Sequence, residues 1–298
     1  MKGLLAANHS KRSSAKHTTT NSEGLLKNPW REGGEASTVF RQKTDVVKTY
    51  KAVLFDLFGT VALFQADKLP LFEWQGKTSR STMGGLHKVF AQKVPTIAFE
   101  LFFTALSEVS RELGEVRARE MREFPSRQRF ALALARIGLP ETEDTRRVAE
   151  ELSLAHMELL AAATDVPPAH AEVLSRTRAR YGMALVSNFD HGPTARSVLL
   201  KGGVAEHFHQ VVISDEHGWR KPHPRIFIDT LTLLGVEPRE ALFVGDSPGD
   251  DIVGAKGVGM DIAWVNASGA DVPDRVPAPD YIVRAIPDLV PLLFPDDS

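Results

Sequence analysis

From Lys48 onward, apolar residues gather in short unbroken runs that end on polar tips. Ala52-Val-Leu-Phe55 leads into Asp56-Leu-Phe-Gly-Thr60, Met183-Ala-Leu-Val186 into Ser187-Asn188-Phe189-Asp190, and Ala241-Leu-Phe-Val244 into Gly245-Asp246-Ser247. Each run is followed by a segment of helical character. A continuous apolar run stopped by turn residues is the pattern of a strand buried on both faces. Such strands alternating with helices predict an α/β fold, a doubly wound, Rossmann-like parallel sheet. Ligands of these sheets bind beyond the carboxyl ends of the strands, so the three polar tips are expected to face one crevice.

Between the first and second runs lie about a hundred residues with no comparable strand. Residues 97–123, 126–137 and 144–163 carry helical patterns, with Leu101, Phe102, Ala105, Leu106, Val109 and Leu113 near helical spacing and Gly138 and Pro140 at a stop. A crossover needs only about a dozen residues, so the excess predicts an inserted helical-bundle cap domain over the crevice. The expected division is a core of residues 48–63 and 168–298 and a cap of residues 64–167. Residues 1–47 differ from both: the first fifty carry nine Lys/Arg against four Asp/Glu, and a Ser/Thr/Asn/His-rich run offers little to bury. A disordered leader is expected there.

The 298 residues are 43% hydrophobic and 25% charged, ordinary values for a globular chain with a large core. Net charge is −2 without long one-sign runs, which points away from nucleic acid and membrane surfaces and toward a small-molecule partner. No apolar stretch approaches the roughly 18 residues that cross a bilayer, and a cytoplasmic location is expected. The chain has no cysteine, so disulfides, thiolate catalysis and cysteine-ligated metal are excluded, and any nucleophile is oxygen or nitrogen.

Four sets of positions stand at strand ends or in adjoining loops: Asp56 with Thr60, Ser187 with Asn188, Lys221 before Pro222, and Asp246 with Asp251. Together they resemble the four motifs of the haloacid dehalogenase superfamily. The resemblance covers roughly residues 50–293. It is most specific in Gly218-Trp-Arg-Lys-Pro-His-Pro-Arg-Ile-Phe227 and in Phe243-Val-Gly-Asp-Ser-Pro-Gly-Asp-Asp-Ile-Val-Gly-Ala255. It implies a hydrolase whose insert is the four-helix cap of the family's first type. It also implies Asp56 as a nucleophile that becomes transiently esterified, oriented by Lys221. Mg2+ would be held by the carboxylates of Asp56 and Asp246, the backbone carbonyl of Phe58, and water on Asp251 or Asp250. Thr60, Ser187 and the amide of Asn188 would bind the substrate's phosphoryl oxygens.

Each assignment has a physical reason. A carboxylate is a weak nucleophile and must be held in line, which a rigid strand end achieves. Oxygen ligands with retained waters suit a hard, tightly hydrated cation. Hydroxyl and amide donors suit the equatorial oxygens, where charge sits in phosphoryl transfer.

One position departs from the phosphatase pattern. Two residues after the nucleophile, where most phosphatases of this superfamily place an acid–base Asp, stands Phe58. An aromatic residue there resembles the 2-haloacid dehalogenases, whose halide leaves without a proton. Those enzymes use no metal, whereas this chain keeps Asp246, Asp250 and Asp251. The favoured expectation is Mg2+-dependent hydrolysis of a small phosphorylated metabolite through an aspartyl-phosphate. The alternatives are metal-independent dehalogenation and a binding or scaffold protein that lost turnover. His191 and His87 are candidate substitute proton donors. Lys68, Trp74, Lys77, Arg80, His87 and Lys88 are candidates for the inner face of the cap.

Overall fold

The structure is a computed structural model and describes residues 40–41, 48–74 and 76–297. In chain order the strands are β1 (Phe40–Arg41), β2 (Ala52–Phe55), β3 (Leu63–Phe64), β4 (Leu71–Trp74), β5 (Lys77–Arg80), β6 (Thr164–Asp165), β7 (Gly182–Ser187), β8 (Gln210–Ile213), β9 (Ala241–Gly245), β10 (Asp261–Val265) and β11 (Tyr281–Val283). The helices are α1 (Met83–Lys93), α2 (Phe99–Glu120), α3 (Ser126–Arg136), α4 (Glu143–Ala162), α5 (Pro168–Arg178), α6 (Gly192–Lys201), α7 (Ser214–His217), α8 (Pro224–Leu234), α9 (Val253–Val258) and α10 (Val290–Leu293).

Seven strands form the main sheet in the order β1-β11-β10-β9-β2-β7-β8. Six of them run parallel, and β1 closes one edge antiparallel to β11. Side chains alternate between the faces: Val53, Phe55, Met183, Leu185, Leu242 and Val244 pack on one, Leu54, Ala184, Val186 and Phe243 on the other. Both faces are covered, which is why these strands read as unbroken apolar runs. The expected α/β core is therefore the observed one. The expected leader lies outside the described residues apart from β1.

A third apolar cluster lies wholly within residues 86–152, built on Leu86, Phe90, Phe102, Leu106, Phe130, Leu134 and Leu152. The insert thus buries its own core. The chain leaves and re-enters the sheet through two adjacent strands, because β3 pairs antiparallel with β6. The insert is not wholly helical. β4 and β5 form a hairpin, whose turn includes Gly76 at φ +72°. Exposed and half-buried residues alternate along β4, and β5 is exposed throughout, so neither strand carries an unbroken apolar run. Helix α1 contains two glycines, Gly84 and Gly85. They lie in its first turn, where helix propensity matters least, and Gly85 lets the backbone approach Leu159 of α4. Among the described residues, no helix is long and apolar enough to cross a membrane.

Candidate active site

Strand β2 lies between β7 and β9, so the polar tips Asp56, Ser187 and Asp246 stand side by side at the carboxyl edge of the sheet. The Asp56 backbone N–H donates to the Val244 carbonyl at 2.8 Å, extending the ladder through this residue. Its side chain emerges from the most constrained part of the sheet, and Asp56 is only 7% exposed.

The chain then turns sharply, with Gly59 N–H donating to Ala62 O at 2.9 Å and Ala62 N–H to Leu57 O at 2.8 Å. Gly59 has φ +86°, and a Cβ there would stand 2.3 Å from Asp246 Oδ2. At Gly245 a Cβ would stand 2.3 Å from Asp251 Oδ2. Both glycines are therefore required so that carboxylates can lie directly against the backbone.

Lys221 is buried, and its Nζ donates to Asp56 Oδ1 at 2.6 Å and lies 2.8 Å from Asp251 Oδ1. Asp251 is fixed from its other side, where the Ser247 N–H donates to Oδ2 at 2.9 Å. Oxygens of Asp56, Asp246 and Asp251 lie within 4.8 Å of one another. Burial raises the Asp56 pKa against the opposing pull of Lys221, and the Asp251 charge raises it further. Burial and then Asp251 also raise Asp246 and Asp250. Burial alone would lower Lys221, but the Asp251 and Asp56 charges outweigh it and hold the ammonium protonated.

Three close carboxylates against one ammonium leave a net negative, oxygen-only site. That donor set fits a hard divalent cation. The Phe58 carbonyl stays outside the three backbone hydrogen bonds that close its turn, the third being Thr60 N–H to Leu57 O at 3.4 Å.

Thr60 and Ser187 are buried, and neither hydroxyl has a hydrogen-bond partner among the described residues. Buried unpaired hydroxyls cost stability, and two of them beside the Asp56 carboxylate, one in the turn after β2 and one at the end of β7, are suited to a polar ligand. Asn188 requires a correction. Its side-chain amide is spent internally: Nδ2 donates to Lys221 O at 2.9 Å and to Asp250 Oδ2 at 3.1 Å, while Oδ1 accepts the Lys221 N–H at 2.8 Å. Asp250 is likewise engaged by Asn188, and the carboxylate that joins Asp56 and Asp246 is Asp251.

Phe58 packs against Phe189, with ring centroids 4.5 Å apart, so the position expected of an acid–base residue is an aromatic wall. The two candidate proton donors are engaged elsewhere. His87 packs against Phe99 at 4.8 Å and lies near Trp74, and His191 shares a hydrogen bond with Thr194 at the start of α6. Of the other cap candidates, Lys68 pairs with Asp165 beside the β3–β6 pair, Arg80 donates to Leu69 O, and Trp74 joins an aromatic cluster. No periodicity signals such local pairings.

A doubly wound sheet whose central strand ends carry a buried Asp–Lys pair within a carboxylate cluster defines a hydrolase site of one known class. The model of the haloacid dehalogenase-like hydrolase family matches residues 50–259, and the chain belongs to that family. It is 31% identical over 169 residues to the glyceraldehyde 3-phosphate phosphatase of Pyrococcus abyssi, covering 56% of this chain and 66% of that one. It is 38% identical over 117 residues to the phosphoserine phosphatase of Thermus thermophilus, covering 39% and 46%. The matched stretches thus span less than two thirds of these relatives. The 2-haloacid dehalogenase of Pseudomonas syringae pv. Tomato DC3000 has a similar fold, with a TM-score of 0.63, 22% identity and coverage of 82% of this chain and 98% of that one.

Proposed function

We propose that this chain is a Mg2+-dependent phosphatase acting on a small phosphorylated metabolite, with residues 64–167 as the cap over its site. The observation that carries the reading is the carboxylate triad of Asp56, Asp246 and Asp251 gathered around buried Lys221. Relatives named as phosphatases support it. A metal-free displacement has no use for three carboxylates whose charges oppose one another.

Asp56, Asp246, Asp251 and the Phe58 carbonyl would hold the cation, directly or through water. Bound there, it would offset the carboxylate charge and polarise a phosphoryl oxygen. Asp56 attacks phosphorus in line with the leaving oxygen. Lys221 orients the Asp56 carboxylate through its 2.6 Å hydrogen bond and holds positive charge beside the transferring group. The hydroxyls of Thr60 and Ser187 and the backbone N–H of Asn188 donate to the equatorial oxygens. Water then hydrolyses the aspartyl-phosphate, releasing inorganic phosphate and restoring Asp56.

Phe58 has no proton to give, so the leaving oxygen departs as an anion. This favours leaving groups of low basicity, such as acyl or enol phosphates. The Phe58–Phe189 wall also suits a second reading, dehalogenation, because halide needs no proton. One assay separates the two. Phosphate release from an aryl phosphate, abolished by EDTA, is expected; halide release from 2-chloropropionate that persists in EDTA would establish the second reading instead.

A further inference from the structure

The connection between α2 and α3 is bonded to the two core loops that carry the second and third motifs. Three backbone hydrogen bonds cross there: Glu123 N–H to Gly218 O at 3.1 Å, Arg220 N–H to Met121 O at 2.9 Å, and Ser126 N–H to Asp190 O at 2.7 Å. At their centre is the carboxylate of Glu123, whose side chain is 1% exposed. A charge so buried must be paired. Glu123 Oε2 accepts from the Ser214 hydroxyl at 2.6 Å and from the Arg220 guanidinium, and Arg117 lies 2.9 Å from Oε1. Arg117 also donates to Asp190 Oδ2 at 3.3 Å.

Both core partners lead to the site. The Ser214 hydroxyl accepts the Phe189 N–H at 2.9 Å, and Phe189 follows Asn188 and packs on Phe58. Arg220 precedes Lys221, whose backbone is tied to the Asn188 side chain on both sides. One carboxylate from the insert thus holds two separate loops of the core.

We propose that Glu123 is a positioning residue for the reaction, acting through Ser214 and Arg220 to set Asn188, Phe189 and Lys221 around Asp56. This end of the insert is then a fixed part of the active-site frame, and any opening of the cap pivots about it. A group held about an ångström out of place costs up to roughly 10²-fold in rate, so the effect is measurable. The kinetic arm rests on the phosphatase reading; the exchange arm does not.

The test uses the full chain as wild type, Glu123→Gln, Ser214→Ala and the double variant, each followed by amide hydrogen exchange and by aryl phosphate kinetics with Mg2+. In each single variant the amides of Phe189 and Lys221 are expected to exchange at least about tenfold faster. kcat is expected to fall about 10- to 100-fold with KM within about twofold, and the double variant to lose less than the product of the two. Unchanged exchange at both amides overturns the proposal, as does loosened exchange with unchanged kcat. If wild type releases no phosphate, the phosphatase reading fails and exchange alone decides the positioning role. If Glu123→Gln does not fold, the Lys221 amide in Ser214→Ala decides it, because that amide is bonded to Asn188 and not to Ser214, and unchanged exchange there overturns the proposal.

Discussion

At the residue scale, the proposed chemistry turns on Phe58, whose aromatic ring has no proton to give a leaving group. In Phe58→Asp, a carboxyl beside the Phe189 ring would be desolvated, its pKa raised, and hence able to donate near neutrality. Rates on alkyl phosphates, whose leaving oxygens are strongly basic, are expected to rise relative to aryl phosphates. A series of leaving groups read against their pKa checks this; an unchanged slope would refute it. Asp56→Asn removes the proposed nucleophile and is expected to cut phosphate release by at least about 10³-fold while leaving the fold intact by circular dichroism.

His156 tests another kind of residue-scale physics. Burial, with help from Arg129, lowers its pKa to about 4, and Nδ1 shares a hydrogen bond with Thr82 Oγ1 at 2.8 Å. The folded state therefore binds this proton more weakly than the unfolded chain, whose His titrates near ~6.5. The stability of this neutral imidazole is complete above that value and is lost as pH falls from there toward 4. Between pH ~7.5 and ~4.5, the Tm of wild type is expected to drop further than that of His156→Gln. Thermal melts across that range check the difference.

At the element scale, each strand end is shaped by the loop that follows. Gly245 ends β9 so that the Asp251 carboxylate can lie on its Cα. In Gly245→Ala the added carbon displaces Asp251 and with it the partner of Lys221. Activity is expected to fall by about 10²-fold or more and Tm to fall with it, measured on the same preparation. Within the insert, Phe102 is fully buried among Phe90 and Phe99. Phe102→Ala is expected to cost about 3 to 5 kcal/mol by urea unfolding, through transfer and cavity terms together.

At the scale of the whole molecule, the site trades stability for function. Without a cation, the carboxylates of Asp56, Asp246 and Asp251 repel one another, and Lys221 offsets only one charge. Asp246→Asn is therefore expected to raise the Tm of metal-free protein while abolishing the further rise that MgCl2 gives wild type. A ligand that binds only the folded state adds RT ln(1 + [L]/Kd), about 2.7 kcal/mol at a hundredfold excess over Kd. Equal Mg2+ responses in the two proteins would remove Asp246 from the metal site.

The α/β class, the positions of β2, β7 and β9, and the cluster Asp56, Lys221, Asp246 and Asp251 were legible in the sequence. Buried parallel strands must be apolar throughout, and the chemistry of a strand-end nucleophile demands particular residues at particular offsets. Other features depend on contacts far apart in the chain. The three-residue β11 and the four-residue strands β4 and β5 carry too few residues for a period to emerge. The close approach of Gly84 to Phe72 of β4 and of Gly85 to Leu159 of α4 is likewise a tertiary feature. The division of labour between Asp250 and Asp251, and the internal use of the Asn188 amide, were set by tertiary structure alone. So was the convergence of Glu123, Ser214 and Arg220, because hydrogen bonds spanning 91 and 97 residues leave no mark in local periodicity.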